Sequence, residues 1–222
     1  MPSDGPRRGS RPRLNRERVL TAALALADRE GIESLTMRRL GEVLGVEAMS
    51  LYNHVANKED LLDGMIDAVF AEIELPAVGS EWKSGMGDRA RSLRAALVRH
   101  RWAIGLMDSR TSPGPATLRH HDAVIGCSRR AGFTVEMAAH AFSLIDSYVY
   151  GFVLQEVALP FDDTEDLEDV VEAILPNVQA GDYPYLAELT VEHVLQVGYN
   201  YADEFDFGLT LILDAIESGS RP

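Results

Sequence analysis

A single cysteine, Cys127, is all the thiol the sequence contains, which excludes an internal disulfide and a thiolate-bound metal cluster. Long hydrophobic runs are missing too. The longest, such as 22–27 and 208–213, fall far short of the ~20 residues of a membrane span. Residues 1–20 lack the apolar stretch of a secretory signal, so a cytoplasmic protein with no membrane partner is expected. No segment shows convincing strand alternation. A His-Glu-x-x-His pair, a nucleophilic serine motif and a phosphate-binding glycine loop are all absent, and the adjacent His120 and His121 point to different sides of a helix. An enzyme is therefore not expected. What remains, 46% hydrophobic and 25% charged residues, is the composition of an ordinary globular chain.

Basic residues are scarce in the second half. Residues 131–222 hold one, Arg221, against eighteen acids, whereas residues 1–18 hold six arginines (Arg7, Arg8, Arg11, Arg13, Arg16, Arg18) against Asp4 and Glu17. The net charge of −14 taken alone argues against nucleic acid. Its distribution reverses the argument, because a cationic end on an acidic body offers one face to a polyanion and keeps the rest away. On charge alone two readings stand: a nucleic-acid-binding end, or an arginine-rich tail without a partner.

Residues 1–14, rich in Pro, Gly, Ser and Arg, read as a flexible arm. Asn15 is a helix N-cap, after which Val19, Leu20, Ala23, Leu24, Leu26 and Ala27 recur at helical spacing up to Gly31. Thr36 caps a short helix, Met37 to Leu44, closed by Gly45. A third is expected over Glu47 to His54, too short to persist unless Leu51 anchors it. Asn57 caps a fourth, with a core stripe from Leu61 to Ile73. Further helices are expected over 85–107, Pro115 to Arg130, Thr134 to Leu159, Glu165 to Leu175, Leu186 to Val197 and Tyr201 to Glu217.

Two short helices joined by Gly45-Val46 fit a helix-turn-helix, whose second helix enters a DNA major groove. Its projecting face is Glu47, Ala48, Met49, Ser50, Asn53 and His54, with Tyr52 and Lys58 near the DNA backbone. The run Thr36-Met37-Arg38-Arg39-Leu40, followed by Leu44-Gly45-Val46-Glu47, Leu51-Tyr52-Asn53-His54-Val55, Asn57-Lys58 and Leu61-Leu62-Asp63, resembles the DNA-binding domain of the tetracycline-repressor (TetR) family. Residues 147–156 and 205–209 resemble the regulatory domain of the tetracycline repressors themselves. The expected fold is all-α: an arm over 1–14, a three-helix DNA-binding domain over 15–60, and a larger helical effector-binding and dimerisation domain over 61–222, entered through the fourth helix.

The resemblance implies that Arg38, Ala48, Met49, Ser50 and Asn53 face base edges while Tyr52, His54 and Lys58 grip phosphates. The chemistry agrees: Arg reads guanine, Asn reads adenine, and the apolar Ala48 and Met49 pack on thymine methyls. In the tetracycline repressors the inducer is held through a metal by a His and a Glu. The resemblance sets Asp108 and Gln155 at those positions, which removes the usual ligand set, so no metal and no cofactor are expected and the effector is another small molecule.

His140, Ser143, Ser147 and Tyr150 form a polar stripe on an apolar helix, and this stripe either lines a pocket or faces solvent or a second subunit. Trp102, Met107, Phe142, Asp146 and Phe152 are equally pocket wall or core. The function expected is a homodimeric, ligand-responsive repressor on a palindromic double-stranded DNA operator, dimerising through 134–158 and 201–217. The alternative is a DNA-binding regulator without an effector.

Overall fold

The computed structural model describes residues 13–107, 109–159, 183–196 and 198–219. Nine helices and no strand occur among them: α1 (Arg16–Glu30), α2 (Met37–Leu44), α3 (Ala48–Leu51), α4 (Lys58–Glu72), α5 (Trp82–Arg99), α6 (Pro115–Arg130), α7 (Val135–Glu156), α8 (Pro184–Leu189) and α9 (Glu204–Gly219). Four of them begin where their capping residues say. Asn15, Thr36, Asn57 and Thr134 accept from the backbone N–H groups of Arg18, Arg39, Asp60 and Met137, satisfying donors that have no partner inside the helix.

The helices close around two cores. In the first, Val19, Ala23 and Leu26 of α1 meet Leu40 of α2, Leu51 of α3, and Leu61 and Met65 of α4. In the second, Ile66, Val69 and Phe70 of α4 meet α5, α6, α7 and α9 through residues such as Leu93, Val124, Ile145 and Phe205. α4 thus leaves one core and enters the other between Met65 and Ile66. A second joint lies after α5, where Trp102 and Leu106 pack against both cores. There Asp28 of α1 accepts from the Trp102 indole at 2.7 Å and sits 2.7 Å from His100 Nδ1, whose other ring nitrogen lies 3.3 Å from Glu72 of α4.

Three helices differ from the sequence expectation. α3 covers only Ala48–Leu51, because Asn53 and His54 turn back with bonds three residues long to Ser50 and Leu51, and the His54 carbonyl accepts from Arg16 instead. The helix expected over 85–107 stops at Arg99: His100 leaves helical angles (φ −113°, ψ 58°), and its imidazole lies between Asp28 and Glu72. The one expected over 186–197 is a single short helix, α8, followed by a wide turn at Thr190–Val194. The helix expected over 165–175 and residues 1–12 of the arm lie outside the described residues.

α7 is the one helix among the described residues long and apolar enough to cross a membrane. It packs against α5, α6 and α9, and its Asp146 is buried in an ion pair with Arg89 of α5, the setting of a core helix.

Candidate nucleic-acid interface and effector cavity

α2 and α3 cross through a turn that two glycines permit. Gly45 adopts left-handed angles (φ 68°, ψ 37°) that favour residues without a Cβ. Gly41 faces the turn itself, and a Cβ there would stand 2.9 Å from the Val46 carbonyl oxygen and 3.2 Å from the Ala48 nitrogen. Leu51 is fully buried beneath α3 and holds this four-residue helix in place.

The opposite face is open. Met49 is 74% exposed, Tyr52, Asn53 and Lys58 are exposed, and Ala48, Ser50 and His54 are half-buried. Arg38, with 89% of its side chain exposed, makes among the described residues only an i,i+4 pair with Glu42 at 3.2 Å. An exposed apolar Met between hydrogen-bonding side chains suits a surface that meets base edges rather than water alone.

This face is fixed by a clasp that the sequence motif did not reveal. Asp60, in the first turn of α4, accepts from Arg16 of α1 through both oxygens at 2.9 and 2.7 Å and from the Ala56 N–H at 2.7 Å. The Arg16 guanidinium holds the Asp60 carboxyl below its ordinary range. One pair therefore ties the first turns of α1 and α4 to the end of the recognition segment.

The body holds a cavity of about 230 Å³ between α4 and α6, lined by Asp63 and Ile66 of α4, Met107, Arg110, Thr117 and His121, with the 112–114 turn at its edge. Arg110 spans from this cavity to α4, donating to Asp63 at 2.6 Å and to Glu59 at 2.7 Å. Thr117 adds a second tie, its N–H and hydroxyl both donating to Asp67 of α4.

Residues 19–65 match the family described as bacterial regulatory proteins, tetR family, and residues 75–219 match the tetracyclin repressor-like C-terminal domain. The chain is 34% identical over 221 residues to the HTH-type transcriptional repressor DrrR1 of Streptomyces coeruleorubidus, covering 96% of this chain and 80% of that one. It is 31% identical over 207 residues to the class A tetracycline repressor of transposon 1721 from Escherichia coli, covering 92% and 91%. Among solved structures, Streptomyces coelicolor ActR in complex with actinorhodin superposes with a TM-score of 0.76 at 26% identity over 95% of this chain and all of that one. The chain belongs to the TetR family. It is a transcriptional regulator.

Of the expected pocket residues that the structure describes, Met107 alone is on the cavity wall. Phe142 stands behind it, its ring 5.4 Å from that of His121. Trp102 is at the joint between the cores, on Asp28, and Asp146 is buried against Arg89. His140, Ser143 and Ser147 point out of the protomer, and Tyr150 is half-buried. Gln155, exposed, accepts from the Tyr201 hydroxyl at 2.8 Å, which leaves its amide a poor substitute for a carboxylate metal ligand. Asp108 lies outside the described residues. Arg110, Thr117 and His121 were missed; the Thr111–Pro115 break marked only a turn, and nothing in it said which helix the turn would meet.

Proposed function

We propose that this TetR-family regulator is a dimeric repressor that grips a palindromic operator with two recognition segments and lets go when a small molecule fills the body. The observation that carries this reading is that α4 carries candidate residues of both sites. Lys58, at its start, belongs to the DNA face, and Asp63 and Ile66 line the cavity five and eight residues later, about 12 Å along the axis at most. Arg38, Ala48, Met49, Ser50 and Asn53 read bases, and Tyr52, His54 and Lys58 hold phosphates. ActR, a relative in fold and sequence, is solved with small molecules bound, which supports an effector here.

Dimerisation is supported by the outer face of α7 and α9. Phe205, Leu209, Leu213 and Ile216 of α9 turn into the protomer's core, yet Phe207 (67% exposed) and Leu211 (55%) remain outside, near-neighbours on the same helix. Leu144 and Leu154 are likewise exposed on α7 alongside Ser143 and Ser147. A single recognition segment reads few base pairs, and two-fold pairing supplies the second half-site.

A hundredfold loss of operator affinity needs about 2.7 kcal/mol of coupling, the difference in effector affinity between the two states. The test is nuclease footprinting and fluorescence anisotropy on DNA flanking the protein's own gene, with sedimentation of the free protein at micromolar concentration. A footprint with two-fold symmetry and a dimer mass are expected; a monomer bound to one half-site sinks the reading.

A further inference from the structure

Arg89, Asp146 and His120 form a buried polar group that neither the DNA face nor the dimer face uses. Asp146 accepts from both terminal nitrogens of Arg89, and Arg89 Nε donates to His120 Nε2 at 3.0 Å. A guanidinium can only donate. His120 Nε2 is therefore the bare nitrogen of the ring, and the proton is on Nδ1. That Nδ1–H is fully buried and has no hydrogen-bond partner among the described residues. Burial, with Arg89 and His121 beside it, pushes the His120 pKa down to about 3, so the ring is neutral and this tautomer persists across the physiological range. Buried donors in native proteins are almost always paired, and this one is placed to receive an acceptor from outside the chain.

The surroundings define what brings that acceptor. The Phe70 ring lies 5.1 Å from His120 and 5.5 Å from His121, and the Phe142 ring lies 5.4 Å from His121. The cavity between α4 and α6 ends one helical turn short of Phe70 on α4 and reaches His121, the neighbour of His120, on α6. Ile66 lines it four residues before Phe70, and Thr117 lines it three residues before His120. One turn is about 5.4 Å along the helix axis. Half-buried His121 is a cavity wall, and its ring lies 5.5 Å from those of His120 and Phe70 and 5.4 Å from that of Phe142, between the cavity and His120.

Resting on the effector reading above, we propose that the effector is a flat aromatic compound with a ring oxygen of carbonyl type, bound without metal, which slides past His121 and accepts from His120 Nδ1–H between the rings of Phe70 and Phe142. A protonated amine is refused at this point, because Nδ1 donates and the Arg89 guanidinium stands behind it. The aromatic walls favour a planar ring edge-on or offset.

The probes are chromone and naphthalene, fused bicycles of similar size of which only chromone carries the carbonyl. With the full-length protein, calorimetry is expected to give chromone at least tenfold tighter binding than naphthalene, and His120→Leu is expected to remove that preference. Because the leucine also strips Arg89 Nε of its acceptor, the wild-type protein labelled with nitrogen-15 histidine provides an independent reading. Its spectrum is expected to show His120 protonated on Nδ1, with that proton moving downfield as chromone saturates. Equal affinity for the two probes, no chromone binding at millimolar concentration, a proton on Nε2, or an Nδ1 proton unmoved at saturation each overturns the proposal. None of these readouts involves DNA, so operator binding and its release stand or fall separately by anisotropy.

Discussion

The head, from α1 to the start of α4, and the helical body that follows each hold an arginine–aspartate pair, in opposite settings. In the head, cations lie outside: Arg38 is almost fully exposed, and Arg16 meets Asp60 at a pair with 44% and 33% of the two side chains open to solvent. In the body, Arg89 and Asp146 are buried together beneath α5, α6 and α7, and His120 completes the group. Exposed pairs in high dielectric contribute little stability and leave side chains ready to exchange partners, as a phosphate or a base requires. A buried pair is costly to break and fixes one geometry of the helices that carry it. The Arg16–Asp60 pair trades strength for exchangeability, whereas the Arg89–Asp146 pair does the reverse.

The sharpest way to break that contrast is to remove one partner of the buried pair. Asp146→Ala leaves Arg89 enclosed without its counter-charge and is expected to cost about 3–5 kcal/mol of stability. Denaturant melts followed by hydrogen exchange would place the loss in α5, α6 and α7. A change under about 1 kcal/mol, or one shared equally by α1 to α3, would mean that the pair is not an enclosed one. Removing an exposed cation acts on DNA instead. Arg38→Ala is expected to weaken operator binding by about 1–3 kcal/mol and relax preference at one base pair, while Lys58→Ala weakens all sequences alike and lowers the salt slope by about one unit. Both variants should melt like wild type. Equal losses on operator and random DNA in anisotropy would remove Arg38 from the base-reading face.

These two classes of residue also differ in how they could be read from sequence. The residues proposed for the DNA face lie within 38–58, a span in which caps, glycines and helix spacing all act between near neighbours; Thr36, Gly45 and Asn57 punctuate it because their physics is local. The body's do not. His100 ends α5 beside Asp28, 72 positions earlier, and Arg89 finds Asp146 57 positions later. Helical spacing correctly puts His140, Ser143, Ser147 and Tyr150 on one side of α7, but periodicity carries no sign: it cannot say whether a polar stripe points into a cavity or away from one. Packing settles that, and the packing of α7 depends on α5, α6 and α9 together.

Acid should separate the two regions in a single experiment. The folded pKa of His120, about 3, lies below its ordinary 6.5 because burial, Arg89 and His121 oppose the charged ring. As pH falls below 6.5 the unfolded chain takes up a proton that the folded body refuses. Stability from this group is thus complete above 6.5 and declines by about 1.4 kcal/mol per pH unit until the folded value is reached. Hydrogen exchange at pH 7.5 and 5.5 is expected to show protection falling in α5, α6 and α7 by about tenfold while α1 to α3 hold, with His120→Leu abolishing the difference. Protection that falls first in the head would contradict the neutral His120.

The smallest effect belongs to the clasp at the head. Asp60 has its carboxyl held below the ordinary 3.8, chiefly by its hydrogen bonds from Arg16, so its contribution is present above about pH 4 and disappears as the pH falls through the folded value. Asp60→Asn keeps one oxygen for the Ala56 N–H and one Arg16 nitrogen, and removes the charge together with the acceptor of the other Arg16 nitrogen. With both side chains partly in water, the expected loss at pH 7 is under about 1 kcal/mol, shrinking further in high salt. A much larger loss in urea melts would mean that Arg16 and Asp60 are as enclosed as the pair in the body. The contrast between the halves would then be one of function alone. If the loss is small but operator affinity falls tenfold, the clasp is positional: Arg16 holds the His54 carbonyl and the first turn of α4 in one arrangement, and the DNA face depends on that arrangement more than the fold does.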